Sequence, residues 1–269
     1  MRAKRPGRRR FSPRYRWGMG FAREARQALR ASVKEIKVKP DKTIVTNLDT
    51  DIDCRFRRGL RQSPFKRDQV VSEESVKRYA RSHNPHRGRW ILDSIDGTTN
   101  LAIGHLHYAV SLAYYEGLVP EIAFIILPEI YGFKILSAER GSGLRLNGRR
   151  FNPPTPPRVV GAMDFRRTTE DPLFRCFPEL VAVGNEIRVL GSIACGLAEV
   201  AMGKLSFYLH SRPRLWDAAA GILLLQEAGR VTNVDQAMIA RANFPEFRMD
   251  MVMAAQDQAI FDHIGGIVG

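Results

Sequence analysis

The sequence predicts a mixed chain in two unlike halves, α+β over residues 17–150 and α/β over residues 151–269. Three observations carry this. Strand-sized apolar runs crowd residues 108–138 and are separated by turn residues such as Glu116-Gly117 and Asn147-Gly148, the pattern of successive antiparallel strands. Beyond residue 157, short β-like runs alternate with helical patterns, as in βα units. Between the two lies Asn152 to Pro157, NPPTPP, which neither helix nor strand accommodates.

Taken in order, residues 1–16 are Arg-rich, hold Pro6 and Pro13, and show no apolar period. They read as a disordered basic arm. Residues 18–36 suit a helix, with Phe21, Ala25, Ala28, Leu29 and Ser32 along one face. Ile44-Val45 suits a short extended segment, and a helix runs from about Thr50 to Leu60. Val70-Val71 suits a strand, residues 75–81 a short helix, and 82–88 a polar loop. Trp90-Ile91-Leu92 reads as a buried strand ending at Asp93. Strands follow at Tyr108–Tyr115, Glu121–Leu127 and Phe133–Ala138, then a hairpin marked by Gly141, Gly143 and Asn147-Gly148. In the second half, strands are expected at 159–163, 188–190, 205–209, near 231 and at 251–254. Helices are expected at 173–182, 196–202, from Asp217 to Gly229, and at 258–264.

Composition narrows the function classes. The 269 residues are enough for a large core. Three unclustered cysteines, Cys54, Cys176 and Cys195, argue against a disulfide framework or a cysteine zinc site and point to a reducing, cytoplasmic setting. No apolar run reaches bilayer-spanning length. Of the net charge of +14, nine basic residues precede Glu24, which leaves +5 for the remainder. The arm is read as a solvated tail, a contact for nucleic acid or an anionic surface, or an organellar targeting segment. A twin-Arg export signal fits poorly, because Arg14 and Arg16 stand where its apolar stretch belongs.

The chemistry concentrates in Trp90 to Asn100, WILDSIDGTTN. Asp93 and Asp96 stand at a strand end. Gly97 permits a backbone conformation that a side chain resists, and Thr98-Thr99-Asn100 are helix-starting residues. Carboxylates beside free helix-start N–H groups make a place for cations and a phosphate together. Three other stretches add acids: Val45 to Asp49, Ser72-Glu73-Glu74, and Trp216 to Gly221 with Asp217. The six carboxylates Asp49, Glu73, Glu74, Asp93, Asp96 and Asp217 include no His or Cys in their stretches, which favours Mg²⁺ over Zn²⁺. Singly, each acid has an ordinary reading: a helix cap for Asp217 or Asp49, solvated surface for Glu73-Glu74, a turn for Asp93 and Asp96.

Together and in this order, VTNLD, SEE, WILDSIDGTTN and WDAAAG resemble the motifs of the inositol monophosphatase family of Mg²⁺-dependent, Li⁺-inhibited phosphatases. The resemblance runs from about residue 20 to the C-terminus. It implies a layered α-β-α-β-α sandwich, usually homodimeric, that hydrolyses a small phosphorylated substrate with two or three Mg²⁺ per site. It implies that Glu73, Asp93 and the carbonyl of Ile95 hold a first metal. Asp93, Asp96 and Asp217 would hold a second, with Glu74 behind them or at a third. Thr98 would orient the attacking water and Asp49 accept from its hydroxyl, with Glu73 beside them in the catalytic set. The N–H groups of Gly97 and Thr98 would bind phosphate, and Asp217 would help protonate the leaving group.

The departures concern the substrate. Ser94 replaces the usual Pro, Leu106 stands where Pro is frequent, and Gly229-Arg230 replaces Gly-Gly. Gly191, Ser192 and Ile193 resemble the run that borders the substrate pocket. His210 falls where inositol phosphatases place a hydroxyl-binding Glu, and a His there is neutral or cationic near pH 7. The default reading is inositol 1-phosphate hydrolysis, with 3′(2′),5′-bisphosphate nucleotidase, histidinol-phosphatase and fructose-1,6-bisphosphatase activities as alternatives. A different class of role, RNA or protein binding through the basic arm, stays open beside them.

Overall fold

The computed structural model describes residues 10–30, 33, 35–39, 43–75, 87–128, 132–165, 169–182, 186–242 and 246–269. The chain enters through helix α1 (Pro13–Ala28), whose N-terminus is set by Ser12: its Oγ accepts the Tyr15 N–H at 3.1 Å, and Pro13 takes the first helical position. This corrects the expected arm, whose last four residues, 13–16, are helix. Tyr15 is buried and lies tilted against Phe124, while Arg14 pairs with Asp68 at 2.9 Å. The Ser-Pro start signal was masked by the arginines around it. Residues 1–9 lie outside the described residues, as does most of the helix and loop expected over 75–88.

The helix expected to reach residue 36 ends at Ala28. Instead β1 (Ile36–Val38) pairs antiparallel with β2 (Ile44–Thr46). Helix α2 (Asn47–Gln62) follows at once, three residues ahead of the expected start. Thr46 caps it and Asp49 completes a reciprocal capping box.

The first sheet takes β3 (Gln69–Ser72), β4 (Arg89–Asp96), β5 (Ala109–Glu116), β6 (Val119–Ile126), β7 (Ile135–Glu139), β8 (Arg145–Leu146) and β9 (Arg149–Arg150) in sequence order. Only β3 and β4 pair in parallel; the others pair antiparallel. Side chains alternate between faces. Trp90, Leu92, Leu112, Phe124 and Ile126 pack under α1 and α2 with Phe21 and Phe56. Ile91, Ala113, Tyr115, Ala123 and Ile125 face the other way. Burial on both faces explains the unbroken apolar runs. Trp90 is fully buried and meets Trp17, Phe56 and Tyr114 edge-on or tilted, so Trp90→Ala would cost about 3–5 kcal/mol.

The second sheet has the order β11-β10-β12-β14-β13, built from β10 (Val160–Asp164), β11 (Glu186–Arg188), β12 (Phe207–His210), β13 (Val231–Thr232) and β14 (Val252–Ala255). Strands β11, β10 and β12 run parallel, while β14 and β13 add antiparallel. Its helices, with α3 (Thr98–Ala102) counted before them, are α4 (Pro172–Ala182), α5 (Ile193–Ala201), α6 (Leu215–Glu227), α7 (Gln236–Arg241) and α8 (Gln258–Val268). Helices α5 and α6 are apolar all round because they lie between the two sheets, in one core with Ala123 and Ile125 on one side and Ala162, Tyr208 and Ala254 on the other. They touch closely: a Cβ on Gly221 would lie 2.5 Å from Leu197 Cδ1. Helices α4 and α8 close the outer face around Met163, Leu209 and Ile264. The layers run α1/α2, first sheet, α5/α6, second sheet, α4/α8, which is the α-β-α-β-α sandwich.

Candidate metal and phosphate site

The central strand does not stop at Asp93. It continues to Asp96, and its pairing with β5 shifts register between Asp93 and Asp96, which turns both carboxylates toward one end of the sheet. Asp217 reaches the same place from the first turn of α6, where its Oδ2 accepts the Arg214 N–H at 2.8 Å. One carboxylate oxygen from each of Asp93, Asp96 and Asp217 lies within 4.8 Å of the others.

Such crowding is costly without cations. Burial pushes the Asp93 carboxyl well above the ordinary range, and Glu73, Asp96 and Asp217 push it further. Asp217 is raised in the same direction, first by burial and then by Asp96. Asp96 is pushed up to about 7 by burial, against the pull of hydrogen bonds to its Oδ2 from Ser192 Oγ and the Ala194 N–H, both at 2.6 Å.

The turn beyond the strand is tightly built. Gly97 takes φ +86° at the N-terminus of α3, and a Cβ there would lie 2.8 Å from the His107 carbonyl. Only glycine satisfies both the backbone angle and that approach. The Thr98 hydroxyl lies 3.0 Å from Asp49 Oδ1 and 2.8 Å from the Ile95 carbonyl. Asp49 is 2% exposed; its Oδ2 accepts the Thr46 N–H at 2.8 Å and the Thr46 hydroxyl at 2.5 Å. Burial raises its carboxyl despite those bonds. Asp49 therefore serves as helix cap and as neighbour of Thr98 at once.

Glu73 and Glu74 form a 3₁₀ turn after β3. That turn is seated by Asp53, which accepts from Ser72 Oγ at 2.7 Å and from Arg57 Nε at 2.7 Å. Lys39, from the segment after β1, donates to Glu73 at 2.8 Å and to Glu74 at 2.9 Å. Its ammonium is held above the usual lysine range by both acids, although burial opposes this. An internal cation thus sits on the two glutamates. No sequence motif marked it.

The run expected to border the substrate lies beside the acid cluster. Ser192 caps α5 and gives its hydroxyl to Asp96, so it supports an acid of the cluster. Ile193 is buried as the first residue of α5. Gly191 takes φ +72°, lies against Asn100 and faces Gly97 with its carbonyl. His210 ends β12, and its Nδ1 accepts the Arg212 N–H at 3.1 Å. Burial lowers its pKa to about 4, with the field of Arg248 in the same sense and Asp171 opposing. That shift favours the neutral imidazole near pH 7.

Asp164, which the sequence did not signal, and Asn100, the last residue of the central motif, hold these pieces together. Asp164, at the end of β10, accepts from the Leu190 N–H at 3.1 Å, the Gly191 N–H at 2.7 Å and the Tyr208 hydroxyl at 2.8 Å. Asn100 donates to the carbonyls of His107 at 2.6 Å and Leu190 at 2.7 Å. A lone Asp carries no pattern by which to find it, and its partners lie 26 to 44 positions away; Asn100 read only as a helix-starting residue.

Comparison with known proteins agrees with this geometry. The profile of the inositol monophosphatase family matches residues 12–260. A Nus factor SuhB of Xylella fastidiosa is 35% identical over 150 residues, and the match spans 54% of each chain. A fructose-1,6-bisphosphatase/inositol-1-monophosphatase of Thermotoga maritima is 28% identical over 188 residues, 70% of each chain. The solved structure of a Thermotoga maritima IMPase superposes with a TM-score of 0.78 at 23% identity, covering 96% of this chain and 97% of that one. The chain belongs to the inositol monophosphatase family, and with it to the phosphoric monoester hydrolases.

Proposed function

We propose that the chain is a Mg²⁺-dependent, Li⁺-sensitive phosphatase of small polyol or sugar phosphates, with inositol 1-phosphate as the first substrate to try. The observation that carries this is the triad of buried Asp93 and Asp96 with half-buried Asp217, whose carboxyls are all pushed up by burial and by one another. The donor set fits Mg²⁺: hard carboxylate oxygens, with no His or Cys in the cluster. Glu73, Asp93 and Ile95 would hold one ion, and Asp93, Asp96 and Asp217 another. Bound there, Mg²⁺ neutralises phosphoryl oxygens and acidifies water.

The chain's own groups do the rest. Thr98, giving its proton to Asp49, turns its lone pairs toward an attacking water and aligns it. Asp49, raised by burial, is a suitable acceptor for that proton. The N–H groups of Gly97 and Thr98 begin α3, where the helix supplies no carbonyl for them, and bind a phosphate oxygen. Asp217, or a water on its metal, would help protonate the leaving alkoxide. A neutral His210 supports a substrate hydroxyl at that position over a second phosphate. Gly191 and Ile193 border the same side.

The setting belongs to the proposal as well. Three free cysteines support a reducing, cytoplasmic compartment. Among the described residues no helix is long and apolar enough to cross a membrane. The expected homodimer is tested by sedimentation. Function is tested by phosphate release with Mg²⁺ from inositol 1-phosphate, histidinol phosphate, fructose 1,6-bisphosphate and 3′-phosphoadenosine 5′-phosphate. The expected result is Li⁺-inhibited turnover, highest on inositol 1-phosphate and abolished by Asp93→Asn. Turnover that persists in Asp93→Asn would overturn the metal assignment, and preference for a bisphosphate would overturn the substrate.

A further inference from the structure

The outer face of the first helical layer carries an excess of positive charge that the phosphatase site does not use. On α1 and in the turn just after it, Arg16, Arg23, Arg26 and Arg30 recur at intervals of seven, three and four residues. At 100° per residue Arg16, Arg23 and Arg26 fall within one stripe about 15 Å long, and Arg30 follows in the turn. Arg16, Arg23 and Arg30 are exposed and Arg26 is half-buried. Helix α2 lies alongside, antiparallel: Arg55 pairs with Glu24 at 3.3 Å, and a Cβ on Gly59 would lie 3.9 Å from Trp17. It adds exposed Arg58 and Arg61, and the turn after it adds exposed Lys66 and Arg67.

Acids do not cancel this face. Its exposed or half-exposed acids, Glu24 and Asp51, are both taken by Arg55. Asp53 is taken by Arg57, and Asp68 by Arg14. Among the described residues, Arg16, Arg23, Arg26, Arg30, Arg58, Arg61, Lys66 and Arg67 have no carboxylate partner. Exposed arginines on parallel rods, with the apolar sides turned inward, are suited to an extended row of phosphates.

We propose that the α1–α2 face binds the phosphate backbone of a nucleic acid. The face favours this partner over the alternatives. The large exposed hydrophobic residues lie elsewhere, at Ile36, Val38, Ile103, Leu106, Val159, Phe174, Val181 and Val189, so α1 and α2 offer no apolar anchor for a bilayer. They offer no apolar centre for a protein interface either. Arg58 and Arg61 lie in the last turns of α2, while Asp49 lies in its first, about 14–18 Å away along the axis. A polymer on the arginines therefore leaves the acid cluster open. The binding is independent of sequence, because nothing on the face reads base edges.

The test is fluorescence anisotropy of the full chain with a labelled 20-nucleotide RNA, and with a DNA duplex of equal length, from 50 to 300 mM KCl. The combined variant Arg16→Gln, Arg23→Gln, Arg30→Gln, Arg58→Gln should lose at least tenfold in affinity at 100 mM KCl. Its salt slope on the single strand should flatten by about 3. Phosphate release should not change. A variant of equal charge loss on the opposite side, Arg158→Gln, Arg175→Gln, Arg188→Gln, Arg241→Gln, should stay within threefold of wild type. A chain lacking residues 1–9 should show the same loss on combined substitution, which separates the face from the tail. If the combined variant unfolds, Arg58→Gln with Arg61→Gln decides, with a smaller loss in the same direction. Absence of binding by wild type, equal weakening by the opposite-side variant, or binding to phosphatidylserine vesicles without binding to either nucleic acid would overturn the proposal.

Discussion

Asp96→Asn should make the metal-free protein more stable at pH 8. Asp96 is 7% exposed, and its carboxyl moves from 3.8 to about 7, first through burial and then through the fields of Asp164 and Glu73. Between those two values the folded chain holds a proton that the unfolded chain has released. Stability therefore falls as pH rises through that window and is lowest above it. At 1.36 kcal/mol per pH unit, the cost of the ionised group approaches about 4 kcal/mol at pH 8 and about 2 kcal/mol at pH 5. The substitution keeps the local bonds. Ser192 Oγ and the Ala194 N–H both reach Oδ2 at 2.6 Å, and an amide oxygen in that place accepts both. The uncharged amide then stands in a group whose acids lie within 4.8 Å of one another and no longer repels them. Thermal unfolding in EDTA should show a midpoint roughly 5–12 °C above wild type at pH 8, with a smaller gain at pH 5. Adding Mg²⁺ should raise the wild-type midpoint more than that of the variant. Equal or lower stability of the variant at pH 8 in EDTA would refute the claim that Asp96 is held at a cost.

Three further outcomes follow from the same geometry. Asp164→Ala strands the N–H groups of Leu190 and Gly191 and the Tyr208 hydroxyl, at about 1–3 kcal/mol for each group that stays buried; Asp164→Asn, whose amide oxygen still accepts both N–H groups, should cost far less in urea unfolding. Lys39→Met removes the cation that bridges Glu73 and Glu74, so calorimetric titration should show Mg²⁺ or Mn²⁺ binding tighter, by about threefold or more. His210→Gln should leave the pH profile of phosphate release unchanged between pH 5 and 8, because the imidazole, with a pKa of about 4, is already neutral there.

The parts of the fold legible in the sequence are those in which local pattern and burial agree. The runs through Trp90, Val110 and Ile125 read as strands because both faces of their sheet are covered, so no polar alternation interrupts them. The acid positions were legible because four stretches carry them in a set order. Other features depend on distant partners. Strand β1 is three exposed residues and exists through its pairing with β2. Helix α7 is six residues capped by Asp235, too short for a period to declare itself. Ser192 stands in the run expected to border the pocket, but no local pattern shows that its hydroxyl bonds Asp96, which lies 96 positions earlier. Lys39 and Asp164 are single residues whose roles arise only when separate loops meet.

The shared helical layer between the two sheets changes the meaning of the Pro-rich break at 152–157. That stretch has no regular structure, while α5 and α6 pack on both sheets in one continuous core. Severing the chain there would cut one covalent link and leave the packing, and the Ser192–Asp96 bond, as they were. Each fragment alone would expose an apolar sheet or helix face and carry only part of the acid cluster. Two separately produced pieces, 1–153 and 154–269, should then find each other in solution, making the break a natural seam for a split reporter whose readout is the reassembled hydrolase.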